Sequence, residues 1–252
     1  MARIQKTAAV IIIGNEILSG RTQDTNLTYI GQRLDKLGVQ LLEATVIPDD
    51  ASIIADRVIK YSKYFDYVFT TGGIGPTHDD ITSASVAHAL NKKLIRDPEA
   101  VALMDEYYEP GQLTDARLKM ADVPEGAILI NNPVSAAPGY QIDNVFVLAG
   151  VPDIMRAMFD NLADRLVQGP PTLSASISTN LGESRLANGL EEVQLKCKGV
   201  SIGSYPYFKN GKLGVNLVLR STDKELLIST MHQVESLIID LEGKVIDKNT
   251  VD

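Results

Sequence analysis

Two adjacent carboxylates, Asp79 and Asp80, follow a loop almost free of side chains, Gly72-Gly73-Ile74-Gly75-Pro76-Thr77-His78. Glycines at 72, 73 and 75 let the backbone turn sharply and let a ligand approach without Cβ obstruction. A helix entered from such a loop directs free N–H groups and the positive end of its dipole toward the same space, which suits phosphate. Thr77 adds a hydroxyl there. Two acids beside a phosphate repel it unless a divalent cation or a proton intervenes, and Mg²⁺ commonly takes one or two carboxylates together with substrate phosphates. A metal–phosphate site with Asp79 and Asp80 as ligands is the chemical expectation. The plainer one stands beside it: Asp79 as N-cap and Asp80 in the first helical turn.

Other candidates surround this pair. Glu16 and Asp24, in the loop after the first apolar run, can reach the same crevice as metal ligands, or cap the helix that begins near Asn26. His78 can ligate a metal, move a proton, or be a solvated turn residue. Ser135 lacks the strand-turn-helix G-x-S-x-G setting of a hydrolase nucleophile and reads as a hydroxyl that orients a ligand. A dinucleotide fingerprint fails because His78 stands where its third glycine belongs, and no Gly-Lys-Ser/Thr of a Walker loop occurs. His88 and His232 lie within helical patterns without ligand spacing. Cys197 follows Leu186, Leu190 and Val193 at helical spacing and reads as core.

The elements that must position these groups alternate. Residues 7–14, Thr-Ala-Ala-Val-Ile-Ile-Ile-Gly, form an apolar run of the kind buried on both sheet faces. Helical spacing of Leu27, Ile30, Leu34 and Leu37, with Gly38 as a stop, then precedes a strand closed by Pro48. A helix over 51–65, a strand over 66–73 and a helix near 80–91 continue the alternation. Residues 98–124 look helical and then irregular. Two short strands at 126–133 and 144–152 flank a connecting segment as the arms of a hairpin, and a helix after Pro152 takes Asp153 as its N-cap. The pattern predicts an α/β fold, a mostly parallel sheet with helices on both faces, and ligands beyond the carboxyl ends of its strands.

The consecutive prolines at 170–171 mark a boundary, dividing the chain at 1–169 and 170–252. Beyond it, strand, helix, strand, strand and helix, with an Asn210-Gly211 turn, suit a smaller α+β domain of ferredoxin-like type. The net charge of -8 argues against nucleic acid as a partner. Asn15 and Glu16 end the first apolar run too early for a signal or a membrane span, and a single cysteine fits a reducing cytoplasm.

Four stretches, GNEILSGRTQDTN from Gly14, TTGGIGPTHDDIT from Thr70, NPVSAAPGY from Asn132 and GVPDIM from Gly150, together resemble the molybdopterin-binding domain family, the fold of MoaB and MogA. More closely they resemble the amino-terminal domain of the competence/damage-inducible CinA proteins and the matching domain of eukaryotic FAD synthase. The likeness covers about residues 7–168, and the region after 170 is similar to the smaller domain that follows in CinA-type proteins. It implies a pocket bordered by Gly72, Gly73, Gly75, Thr77, Asn132, Ser135 and Gly139. Asp80 matches an aspartate that serves cofactor chemistry, and Asp24 matches a second acidic position.

The resemblance also implies hydrolysis of a nucleotide pyrophosphate of ADP-ribose or FAD type. Asp80 and Asp24 would serve as catalytic groups with Mg²⁺, Mn²⁺ or Co²⁺, K⁺ is a further candidate ion, and the resemblance implies that the protein assembles as a homo-oligomer. Molybdopterin is an alternative ligand. A non-catalytic pterin or nucleotide carrier, or a role in molybdenum cofactor assembly, remain alternatives. No segment here resembles the deamidase domain of full CinA or a nucleotidyltransferase, so neither activity is expected of these residues. Where the family often has Pro-Gly-x-Pro-x-Glu-Met, this chain reads Ala149-Gly150-Val151-Pro152-Asp153-Ile154-Met155, with Ile154 in place of a carboxylate.

Overall fold

The computed structural model describes residues 5–209 and 211–249 of the chain. They divide into two compact units, Met1–Gly169 and Pro170–Asp252. Among the described residues, no helix is long and apolar enough to cross a membrane.

The first unit opens with β1 (Lys6–Ile13), a short turn of helix α1 (Asn15–Leu18), α2 (Asn26–Lys36), β2 (Val39–Ile47), α3 (Ala51–Tyr64), β3 (Tyr67–Thr71) and α4 (Thr82–Ala89). A small lobe follows: β4 (Leu94–Arg96), α5 (Pro98–Tyr107), α6 (Asp115–Leu118) and β5 (Asp122–Pro124), with β4 and β5 paired antiparallel. The unit closes with β6 (Ile128–Ile130), β7 (Gly139–Ile142), β8 (Val145–Leu148) and α7 (Pro152–Leu162). Its six-stranded sheet has the order β2-β1-β3-β8-β7-β6. The pairs β1–β2, β1–β3 and β3–β8 are parallel, and the β6–β7 and β7–β8 pairs are antiparallel.

The apolar run of β1 is continuous because both faces are covered. Ala8, Val10 and Ile12 belong to one core with α2 and α7, through Ile30, Leu34, Met155 and Phe159. Ala9, Ile11 and Ile13 belong to a second core with α3 and α4, through Ile54, Val58, Tyr61 and Val86. Alternation of side chains along a strand divides eight residues between two layers. Phe69 of β3 anchors the first core, stacked on Phe146 at 5.1 Å and tilted against Phe159 at 5.4 Å.

Three expectations need correction. The segment between the two expected late strands contains a strand of its own, β7, because Tyr140 and Ile142 alternate into the core with Gln141 between them. Residues 98–124 hold α5, α6 and a 3₁₀ turn at Lys119–Ala121 and end in β5, which β4 pairs across the lobe. Asp153 does not cap α7: Pro152 takes the first turn, where its missing N–H costs nothing, and Val151 holds the cap position.

The second unit runs β9 (Leu173–Thr179), α8 (Glu183–Lys196), β10 (Ser201–Lys209), β11 (Lys212–Ser221), α9 (Lys224–Asp240) and β12 (Val245–Asn249). All its adjacent strands are antiparallel, in the order β10-β11-β9-β12, which is the split βαβ arrangement. The final strand was not expected from the sequence. Asn210, half of the expected Asn-Gly turn, lies outside the described residues. Cys197 is buried in the core of this unit.

Removing the central ring of the first core leaves a cavity. Phe69→Ala should cost the first unit about 3–5 kcal/mol, read as faster hydrogen exchange in β1 and β3 and a lower urea midpoint. A second prediction concerns acid. Asp66 accepts from Lys6 Nζ at 2.6 Å and from the Thr7 N–H and hydroxyl at 2.9 Å each, joining the start of β1 to the start of β3. The Lys6 ammonium, and then the Thr7 donors, hold its carboxyl below the usual carboxylate range. A group depressed in the folded state stabilises above its unfolded pKa of about 3.9 and loses that contribution as pH falls through the lower folded value. Asp66→Asn should therefore flatten the fall in stability below about pH 4, measured as unfolding midpoint against pH.

Candidate functional site

The four parallel strands of the first unit end at one edge, and a cavity of about 380 Å³ opens there. Each strand end contributes to it. Gly14 and Glu16 follow β1, Asp49 follows β2, residues 72–77 with Asp79 and Asp80 follow β3, and Ala149, Gly150, Val151 and Ile154 follow β8. Asn132 and Ser135, after β6, close another side. Ile13, Ile74, Met120 and Met158 supply apolar wall.

The glycine loop is shaped by close approach. Gly72 and Gly73 have φ of +102° and +69°, the left-handed region that disfavours other residues. A Cβ on Gly72 would lie 2.2 Å from the Ile13 carbonyl oxygen, and one on Gly73 would lie 2.2 Å from Thr82 Oγ1. Thr82, the first residue of α4, closes the loop, its hydroxyl donating to Gly72 O at 2.9 Å and its N–H to Gly73 O at 3.0 Å. The N–H groups of Gly73, Ile74 and Gly75 have no partner among the described residues, and all three residues line the cavity. Successive bare amides of this kind make an anion cradle.

The acids do not cap α4. The helix begins at Thr82 with Ile81 in the cap position, and Asp79 and Asp80 lie in the turn before it. Thr77 draws both back: its N–H donates to Asp80 Oδ2 at 2.8 Å, and its hydroxyl lies 2.7 Å from the same oxygen and in close contact with Asp79 Oδ1. One hydroxyl carries one proton, so it satisfies only one of the two carboxylates at a time. The Thr77 hydroxyl, with smaller contributions from His78 and Lys119, holds the Asp79 carboxyl below its usual range. His78 itself is exposed and does not line the cavity.

The remaining candidates separate. Glu16 lines the cavity with its carboxylate folded over Gly14, where a Cβ would meet Oε1 at 2.5 Å. Asp24 does not line it; its Oδ1 accepts from the Leu27 N–H at 2.9 Å, which serves the start of α2. Gly139 does not line it either. It sits in β7, where a Cβ would meet Val147 O at 2.6 Å and Met158 Sδ at 3.1 Å, so its role is packing. Asn132 is buried and folds its own loop. Its Oδ1 accepts from the N–H groups of Val134 and Ser135, and its Nδ2 donates to Ser135 Oγ and Ala137 O, each at 2.7 Å. Ser135 thus faces the cavity with its proton still available.

Sequence reasoning missed Asp49. The pair at the end of β2 divides its work: Asp50 caps α3 by accepting from the N–H groups of Ser52 and Ile53, both at 3.0 Å. Asp49 accepts from the Asn15 N–H at 2.9 Å and lines the cavity. The rule that ligands lie beyond strand ends was the available signal.

A divalent cation can be tested against these donors. Among the described residues, no three His, Cys, Asp or Glu side chains are grouped to hold a metal by themselves. Ile154 brings a hydrocarbon rather than a carboxylate to the cavity. The Asp79–Asp80 pair, competing for one proton, nonetheless suits a cation that draws its other ligands from phosphate, as Mg²⁺ commonly does. The residues fit a cation carried with the ligand better than a resident one.

Gly75 offers a steric test of this geometry. Its φ is not left-handed, yet a Cβ there would lie 2.7 Å from Asp80 Oδ2. Gly75→Ala should leave the fold intact and push the Asp80 carboxylate off Thr77. The check is an unchanged thermal midpoint with altered amide shifts confined to residues 74–82.

Comparison with known proteins follows the same division. Residues 9–168 match the family described as "Probable molybdopterin binding domain", and residues 171–244 match "FAD synthase, middle domain". A protein of Archaeoglobus fulgidus is 36% identical over 92% of this chain and 97% of its own length. A probable FAD synthase of Caenorhabditis elegans is 32% identical over 93% of this chain, which spans 50% of that protein. The crystal structure of CinA from Thermoplasma acidophilum is 37% identical with a TM-score of 0.60, covering 64% of this chain and 97% of its own. The chain belongs to the molybdopterin-binding domain family, among its CinA-like and FAD-synthase-like members.

Proposed function

We propose that this chain binds a phosphate-bearing adenine dinucleotide or pterin in the cavity of its first unit and hydrolyses a pyrophosphate bond with the help of Mg²⁺, Mn²⁺ or Co²⁺. The observation that carries the reading is the juxtaposition of three bare amides, at Gly73, Ile74 and Gly75, with two carboxylates that share one hydroxyl proton. Amides of this kind take phosphate oxygens. Carboxylates at the same place oppose an anion unless positive charge comes with it.

Asp80 and Asp79 are the residues that would hold the cation, with phosphate oxygens completing its shell. When bound, a divalent ion neutralises phosphate charge and makes water a stronger nucleophile near neutral pH. Thr77 keeps Asp80 oriented from its N–H and hydroxyl. Glu16 and Asp49, which follow β1 and β2, would accept from hydroxyl groups of a ribose or N–H groups of a pterin. The Ile13, Ile74, Ile154 and Met158 wall excludes water from the planar part of the ligand.

The test is direct. Purified protein mixed with ADP-ribose, FAD or NAD and each of the three metals should release AMP from at least one of them. Asp80→Asn should slow that release on the order of 10²-fold, and EDTA should abolish it. Ligand binding by calorimetry without AMP release under any condition would instead identify a carrier.

A further inference from the structure

The cavity is lined by four carboxylates, Glu16, Asp49, Asp79 and Asp80, and no lysine or arginine lines it among the described residues. One cation nevertheless reaches its rim. Lys119 sits in the single turn after α6, and its Nζ donates to the Thr77 carbonyl oxygen at 2.5 Å, across 42 residues of sequence. The next residue, Met120, lines the cavity. Arg117, two positions earlier, is committed elsewhere, its guanidinium 4.4 Å over the Tyr108 ring and bonded to Gln112 O. An ammonium has three N–H donors, and Thr77 takes one.

We infer that Lys119 is the phosphate-facing cation of this cavity. Fixed at the Thr77 carbonyl beside the Asp79–Asp80 pair, it turns a free N–H toward a phosphate oxygen held by the glycine amides. This rests on the reading of the cavity as a phosphate site, and it adds that the ligand's charge is met from the protein as well as from a carried metal ion. Its role as a fastener of the turn is the competing account. A fastener acts on any ligand through the loop's shape, whereas a phosphate contact acts only on ligands bearing phosphate.

Calorimetry on the full chain, with AMP and with adenosine in the presence of Mg²⁺, separates the two accounts. Lys119→Gln keeps a donor for the Thr77 carbonyl and loses the charge. It should weaken AMP about 10–100-fold, the worth of a hydrogen bond to a charged group, while adenosine affinity and the thermal midpoint stay the same. Lys119→Arg should recover most of the AMP affinity. Equal loss for AMP and adenosine, or unchanged AMP affinity in Lys119→Gln, would overturn the inference while leaving the phosphate site intact. A wild-type chain that binds AMP no better than adenosine would defeat both.

Discussion

The exit of β3 is the constraint on which the site depends. This strand lies between β1 and β8, with Val68 in one core and Phe69 in the other. Its chain must leave the sheet at once, because β1 and β8 end beside it. Gly72 passes against the Ile13 carbonyl on one side and Gly150 on the other, where a Cβ on Gly150 would come within 3.2 Å of Gly72 Cα. No larger residue can make that turn, and it leaves the amides of residues 73–75 without partners among the described residues. The two cores hold the strands in place, the strands hold Gly72, and Gly72 sets the direction of residues 73–80. Packing energy far from the cavity thus determines where its donors point.

Electrostatics then decides what the donors can accept. Bare amides favour an anion, and the four lining carboxylates oppose it. In a partly enclosed site, such opposition is screened less than at an open surface. The Thr77 hydroxyl cannot relieve it, having one proton for two acids. Positive charge supplied with the ligand would satisfy both sides together, the amides at 73–75 and the acids at 79 and 80 lying four to seven residues apart. A phosphate site built for a free anion would surround its glycines with lysine or arginine instead.

Much of this was legible in the residues. The both-faces burial of β1 and the parallel core of the sheet follow from apolar runs that do not alternate. The glycine loop and the acid pair follow from types and spacing. What could not be read was the local competition for hydrogen bonds. Asp79 and Asp80 look like cap residues, but Thr77 lies two and three positions earlier and captures them, while Thr82 ties the helix start to Gly72 and Gly73. Asp24 reads equally as a ligand or as a partner for the start of the next helix, and its bond from the Leu27 N–H selects the second. Gly139 sits in a motif shared with the family, yet its neighbours Val147 and Met158 are known only once the strands pair. Asp49 was signalled only by its place after a strand end, and Lys119 comes from a segment whose approach to Thr77 is tertiary.

The two units also differ in what they contribute to chemistry. Every residue lining the cavity falls between Ile13 and Met158, so the site's donors all come from the first unit. The second unit has its own core, from Ala175, Ile177 and Leu186 to Val234 and Ile238, and is complete as a βαββαβ sandwich. A unit with a closed core can be combined with different partners in evolution without altering a cavity it does not line. Both units recur together in the relatives, which match 92% and 93% of this chain although the chain spans 97% of one and 50% of the other. The groups that decide what the cavity can accept therefore belong to the first unit, its acids Glu16, Asp49, Asp79 and Asp80 together with the loop at 72–77.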